Sequence, residues 1–417
     1  MNYFDERGNL FFPVKNHKDF QIKQCTISRN KLNVFRGIHI NTFDKIVTCI
    51  QGKILDIIID MEPESEKYLI PQYFNLDPNT DLFELFVPKN FGHAFLSLEE
   101  NSILVYHFNG LFSSEETLTI NYLDPYIKLK LTNGITFDNL IISEKDNIKK
   151  FSKPIDYVIF GSNGFLGSNI IRYLENKNYI ICNFRLEETN EIEKYLKLYS
   201  PKYVINCAGI TGDPNILWCD DNKTETIAIN ITYQLTLADI CKKYNIHLTI
   251  LGSGGIFEND KYYSESEEGN FHGNFYGECR ITLEKMIKNY PNVLYLRINY
   301  PISKYHSNKN LLTKILGYKR IDNISLTITC IDDLFPILLE MIENNETGIT
   351  NFVNPGEISL VSILEIYNRY KFHSFVVNNG VMVEDNKRSV SKLECEKILE
   401  YNPLDVFEAV DECVKNY

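Results

Sequence analysis

"IDYVIFGSNGFLGSNIIRYLENKNYIICNFR", residues 155–185, decides the fold of most of the chain. An apolar run, "YVIF", enters three glycines, Gly161, Gly164 and Gly167, spaced GxxGxxG; a helical stretch and a second apolar strand follow. Glycine lets the chain turn tightly there and lets backbone N–H groups approach a pyrophosphate at a helix N-terminus. In this strand–turn–helix setting the triplet predicts dinucleotide binding; the blander reading is a turn that needs glycine for shape alone. At the end of the second strand stands Arg185, with no acidic side chain for a ribose 2′-hydroxyl. An arginine suits a 2′-phosphate, so NADPH is expected over NADH. Downstream, "YVINCAG", "IHLTILGS" and "VLYLRINY" are further buried strands with helical stretches between. Strands alternating with helices predict an α/β, doubly wound Rossmann fold over 155–417.

Upstream the period changes. "KIVTCIQGKILDIIIDM" reads as two strands, and "DLFELFVPKNFGHAFLSLEENSILVYHFNGLF" as three more, broken by Pro, Gly and Asn. Residues 1–147 are therefore expected to be all-β, an antiparallel barrel or a cupin-like jelly roll. The linker "NIKKFSKP", 147–154, is short and lacks glycine.

The 417 residues allow two or three domains. A net charge of −12 argues against nucleic acid or an anionic membrane as partner. No apolar stretch reaches membrane-spanning length and no signal peptide is evident, so a cytoplasmic setting is expected. Ten cysteines without CxxC pairs read as reduced thiols.

Two groups of residues carry chemistry. In the second half Ser253 ends a strand, and Tyr276 and Arg280 stand four apart on one helix face. A tyrosine that delivers a proton, a cation beside it and a hydroxyl on the carbonyl make a carbonyl-reducing site. The same pair could be a surface contact. In the first half "NVFRGIHINTFDKIV", 33–47, sets Arg36, His39 and Lys45 among strand residues. His39 and Lys45 offer base and cation, Tyr106 an acid, and Asp146 a partner to fix the His39 tautomer. A lone strand histidine is more often structural. His39, His93 and His107 could be cupin metal ligands, but no HxH pair appears and no metal is expected.

"FGSNGFLGSN", "NCAGITGDPNILWCDDNKTETIAIN", "LGSGGIF", "GNFYGECR" and "LRINYPIS" resemble the extended short-chain dehydrogenase/reductases that act as dTDP-4-dehydrorhamnose reductases. The likeness extends to the bifunctional epimerase/reductases of plant UDP-rhamnose synthesis. It implies Ser253 and Tyr276 as catalytic residues and a cofactor lined by Asn163, Phe165, Leu166, Cys207, Ala208 and Gly209 beside the glycines, Tyr276 and Arg280. Arg280 departs from the family's YxxxK lysine. It keeps the charge but cannot relay a proton as lysine can. "DERGNLFF", "VFRGIH", "FVPKNFGHAFLSL", "ILVYHF" and "SEKD" resemble the dTDP-4-dehydrorhamnose 3,5-epimerases, which use no metal or organic cofactor. That resemblance implies His39 as base with Asp146, Tyr106 as acid, Lys45 at the enolate, and Arg7, Phe11, Arg36 and His93 lining the substrate pocket. It also implies a homodimer through the first domain. The loop from His39 to Lys45 is shorter than in the family.

The expected function is a bifunctional 3,5-epimerase/4-keto reductase acting on a nucleotide 4-keto-6-deoxy-D-hexose, with UDP favoured over dTDP. Open alternatives are a 2-acetamido sugar, epimerisation at C3 only, or one domain kept as a silent binding module.

Overall fold

Strand pattern separates two architectures along the chain. The computed structural model describes residues 3–5, 8–10, 12–14, 17, 19–113, 117–131, 135–212, 215–258, 261–378 and 389–417. It divides into two units, Met1–Pro154 and Ile155–Tyr417.

The first unit holds two larger antiparallel sheets and a two-stranded one, Tyr3–Asp5 with Gly8–Leu10. One orders its strands Gln24–Asn30, Ser102–Phe108, Lys45–Gln51 and Glu84–Val87. The other orders Leu118–Thr119, Phe35–Ile40, Gly92–Ser97, Ile54–Ile59 and Pro71–Leu76. The two strands of "KIVTCIQGKILDIII" thus join different sheets, although only Gly52 and Lys53 separate them. Gly52 makes the corner at φ +75°. Side chains from both sheets, among them Val47, Ile58, Phe95 and Leu104, meet in a common core. A second core lies around Phe35, Leu55, Ile57 and Ile127. Gln24–Asn30 is an edge strand; its Cys25 is exposed, whereas the other nine cysteines are buried or half-buried.

The second unit is built on six parallel strands in the order Tyr179–Ile181, Tyr157–Phe160, Tyr203–Asn206, His247–Leu251, Val293–Ile298, Gly348–Phe352. Val293–Ile298 is buried at every residue, as a sheet covered on both faces requires. In chain order the sheet reads 2-1-3-4-5-6. The commoner dinucleotide-binding order, 3-2-1-4-5-6, puts two strands outside the first; here there is one. The order still reverses beside the first strand, and a ligand is received at the carboxyl ends of the strands at such a point. The helix Phe165–Tyr173 follows the glycine turn directly. The helix Phe275–Ile287 starts where the Asn274 side chain accepts from Gly277 N at 2.7 Å. It packs Glu284 against Arg297 at 2.5 Å, a buried pair completed by Asn351 and by the backbone of Ser264 and Glu267. No described helix is long and apolar enough to cross a membrane.

Candidate active sites

Strict strand alternation would send Arg36 and His39 to opposite faces, since only Gly37 and Ile38 lie between them. The register prevents this. Arg36 lies opposite Phe95 and His39 opposite His93, so the pairing slips by one residue between them. Gly37 sits in the slip at φ +117°, and a Cβ there would lie 2.5 Å from the His93 carbonyl oxygen. A bulge re-aims a side chain. This one sends both residues to the face that Phe95 shares with the inter-sheet core.

His39 Nε2 then meets Asp146 Oδ1 at 2.6 Å, across 107 residues of chain. The carboxylate is buried in the turn that begins at Ser143, and its second oxygen accepts from Gly37 N–H at 3.4 Å. The imidazole remains one-third exposed. Lys45 is 4% exposed, and its Nζ donates to Asn41 Oδ1 at 2.9 Å. Burial pulls the ammonium down to about 8, against the pull of Asp56. Tyr106 lies edge-on to His93, ring centres 6.2 Å apart. Loss of water around its phenol, reinforced by Asp56, holds it well above the ordinary tyrosine range, so it stays protonated and can act as an acid. Arg36 is at the exposed margin, its Nε donating to Asn30 Oδ1 at 3.1 Å. His39 lies opposite His93 in the strand pairing, and His93 touches both Asp56 and the Tyr106 ring, so these groups are neighbours.

Asp56 is the residue the sequence reading missed. It is fully buried and holds His93 Nε2 at 3.0 and 3.1 Å, a second His–carboxylate pair beside the first. Burial keeps the His93 imidazole below its ordinary value, with Asp56 opposing. The signal was a lone acid inside the apolar run "ILDIII". His107 points to the opposite face of its strand from Tyr106 and does not join His39 and His93. Arg7 and Phe11 lie outside the described residues.

In the second unit the glycine turn packs as the sequence predicts. Gly161 has φ +68°, and a Cβ on it would stand 2.6 Å from Ala208 N and 2.7 Å from the Cys207 carbonyl carbon. A Cβ on Gly167 would collide with the Gly161 backbone. Gly164 caps the following helix with no side-chain bond, so the first N–H groups of Phe165, Leu166 and Gly167 point to a ligand position. Asn163 is exposed in the turn itself. Arg280 is 4% exposed, its guanidinium carbon 5.2 Å from the Tyr276 ring centre. Its Nε and Nη1 are buried with no partner among the described residues, and a Cβ on Gly209 would sit 2.7 Å from Nη2. A glycine cradle and a buried cation whose Nη2 borders Gly209 fit a dinucleotide whose ribose lies against Arg280. Ser253 follows the strand His247–Leu251, its Oγ accepting from Gly255 N at 3.2 Å.

Asn230 was also missed. It stands in a π-helical turn, Ala228–Thr232, and clamps the Ile210 backbone just beyond Gly209 through bonds of 3.0 and 2.8 Å. Such turns often mark functional sites but leave no local sequence mark. Arg185 is 82% exposed, with an ion pair of 3.8 Å to Glu187 and its backbone N–H on Glu188.

A proton-transfer cleft between two sheets, followed by a nicotinamide-dependent carbonyl site, defines a two-domain sugar-nucleotide epimerase and oxidoreductase. The comparisons agree. Residues 4–153 match the dTDP-4-dehydrorhamnose 3,5-epimerase family, and residues 157–316 the NAD dependent epimerase/dehydratase family. A bifunctional dTDP-4-dehydrorhamnose 3,5-epimerase/dTDP-4-dehydrorhamnose reductase of Arabidopsis thaliana is 36% identical over 263 residues, 59% of this chain and 87% of the relative. The chain belongs to that family of bifunctional epimerase/reductases. A trifunctional UDP-glucose 4,6-dehydratase/3,5-epimerase/reductase of the same plant is 33% identical over 62% of this chain, which spans only 41% of the relative. The crystal structure of the UDP-rhamnose synthase of Acanthamoeba polyphaga mimivirus superposes with a TM-score of 0.60 at 28% identity, covering 64% of this chain and all of that one.

Proposed function

We propose that this chain inverts C3 and C5 of a nucleotide-linked 4-keto-6-deoxy-D-hexose in its first unit and reduces C4 in its second, giving an L-rhamnose-type sugar nucleotide. The 2.6 Å contact of His39 with Asp146, beside buried Lys45, carries this reading. Two antiparallel sheets with interleaved strands support the jelly-roll description of the first unit. A carbonyl at C4 makes the C–H bonds on both sides acidic. His39, fixed by Asp146, removes the proton; Lys45 holds the charge that develops on the C4 oxygen; Tyr106 returns a proton from the other face. When bound, the nicotinamide supplies a hydride to C4. Tyr276 gives the C4 oxygen its proton, Ser253 hydrogen-bonds that oxygen, and Arg280 keeps positive charge beside the Tyr276 ring.

UDP is favoured over dTDP because the trifunctional relative and the mimiviral synthase carry UDP in their names; the 36% identical relative carries dTDP. NADPH is favoured over NADH by Arg185, although the guanidinium must leave Glu187 to meet a phosphate. Arg185→Ala is expected to lower the NADPH/NADH ratio of kcat/KM about tenfold or more, the worth of one charge-assisted bond. An unchanged ratio removes the assignment.

One observation favours a second reading. The 36% match covers 59% of this chain, close to the share that the unit Ile155–Tyr417 makes up, and that relative is named for both activities. Epimerisation could on that basis belong to the second unit. Incubation with UDP- and dTDP-4-keto-6-deoxyglucose in deuterated water, with and without NADPH, separates the readings. Product NMR also reports whether C5 inverts, and a parallel incubation with the 2-acetamido 4-keto sugar reports whether that sugar is accepted. His39→Ala is expected to cut deuterium entry by a factor of about 10²–10⁴. Tyr276→Phe is expected to stop NADPH oxidation and spare deuterium entry. Undiminished exchange in the His39 variant moves epimerisation to the second unit.

A further inference from the structure

Arg280 stands where the short-chain reductases carry lysine, and the two side chains make different demands. Lysine gathers its donors at one tip; arginine spreads five along a rigid plane. Its inner edge, Nε and Nη1, must find acceptors that a lysine would not need. Here both atoms are buried without a partner among the described residues, in a side chain that is 4% exposed. A buried donor left unmet is costly. The strand Val293–Ile298 offers the complementary group. Tyr295 is 1% exposed, and its hydroxyl is likewise buried and unpartnered. Its ring lies over Gly252, where a Cβ would come 2.7 Å from the phenolic oxygen, one residue before Ser253. The absence of a side chain at 252 is what admits the ring. Arg280 and Tyr295 act on each other electrostatically. The other charges facing the phenol, Glu284 and Arg297, are already bound to each other at 2.5 Å.

We propose that Tyr295 is a positioning residue for Arg280: its phenolic oxygen serves the inner edge of the guanidinium through one water, and so lets arginine do the work of lysine in the reductase site. This rests on the second unit being the reductase, and the test keeps the two ideas apart. Four full-length proteins are compared: wild type, Tyr295→Phe, Arg280→Lys and the double variant. Tyr295→Phe keeps the ring that fills the space over Gly252. With arginine at 280 it is expected to lower kcat for NADPH oxidation about tenfold, in line with loss of a bond to a charged group, while KM for the keto sugar stays within twofold. The NADPH dissociation constant, read from nicotinamide fluorescence, is expected to rise at least threefold. In the Arg280→Lys background the same change should alter both quantities less than twofold. Equal factors in the two backgrounds overturn the proposal, because a merely structural tyrosine would not distinguish arginine from lysine. If the wild type oxidises no NADPH when given the keto sugar, the reductase reading fails while the fluorescence comparison still decides the role of Tyr295.

Discussion

Lys45 keeps an ammonium 4% exposed with Asn41 as its hydrogen-bonding acceptor, and burial brings its titration down to about 8. The role assigned to it needs the proton. Below about 8 the cation is present to hold the enolate; above it the amine is neutral and the charge is lost. Deuterium exchange measured as kcat/KM is therefore expected to fall as pH rises through about 8. Lys45→Arg should move that fall upward, since a guanidinium does not titrate there. A profile unchanged by the substitution would assign the limb to another group. His39, Lys45, Tyr106 and Asp146 were legible because each interrupts or ends an apolar pattern in a segment resembling an epimerase. Asp56 was not, because one acid in a run of isoleucines reads as a solvent-facing position. Only the strand pairing that sets it beside His93 reveals its role. Tyr295 stayed hidden for a similar reason: a tyrosine in a buried strand reads as core, and its unmet hydroxyl appears only in three dimensions.

Glycine decides where elements deliver their side chains. At Gly37 a one-residue slip brings Arg36 and His39 to the same face. Gly37→Ala puts a Cβ against the His93 carbonyl at 2.5 Å and Ala94 Cα at 2.7 Å, both backbone atoms, at φ +117°. It is expected to cost about 1–3 kcal/mol of stability, the range of a forced backbone conformation. Thermal denaturation measures that cost. Deuterium exchange should be lost in the material that remains folded, because His39 turns away from Asp146, while NADPH binding persists. Retained exchange would mean that the slip survives without glycine. Five of the six strands between residues 45 and 108 were readable from alternation and turn residues; Pro71–Leu76, which opens on a proline, was not. Their distribution between two sheets was not, because partner choice rests on contacts far apart in sequence, such as Gln24 with Phe108. In the second unit the glycine turn announced itself, whereas the π-helical turn at Asn230 and the 2-1-3-4-5-6 order did not.

At the scale of the whole molecule each unit closes its own cores. Clusters around Phe35 and Val47 use only residues of Met1–Pro154, and clusters around Tyr157 and Ile302 only residues of Ile155–Tyr417. The linings of the two proposed sites therefore come from separate units. The sequence read this division from the change of period alone.

The uneven burial of the thiols gives the protein a built-in attachment point. Seven cysteines are buried, Cys207 and Cys395 are half-buried, and Cys25 is exposed on its edge strand. Burial pushes Cys49, Cys182 and Cys207 up to about 12 and Cys279 and Cys395 up to about 11, where almost no thiolate exists at neutral pH. Native protein is expected to take up one equivalent of maleimide quickly and the rest only on denaturation, a stoichiometry that mass spectrometry reads directly. More than one fast equivalent would show that a covered thiol opens. A fluorophore could then be placed opposite His107, next along the strand to Tyr106, without altering a single residue, and would report on the epimerase sheet while the reductase turns over unlabelled.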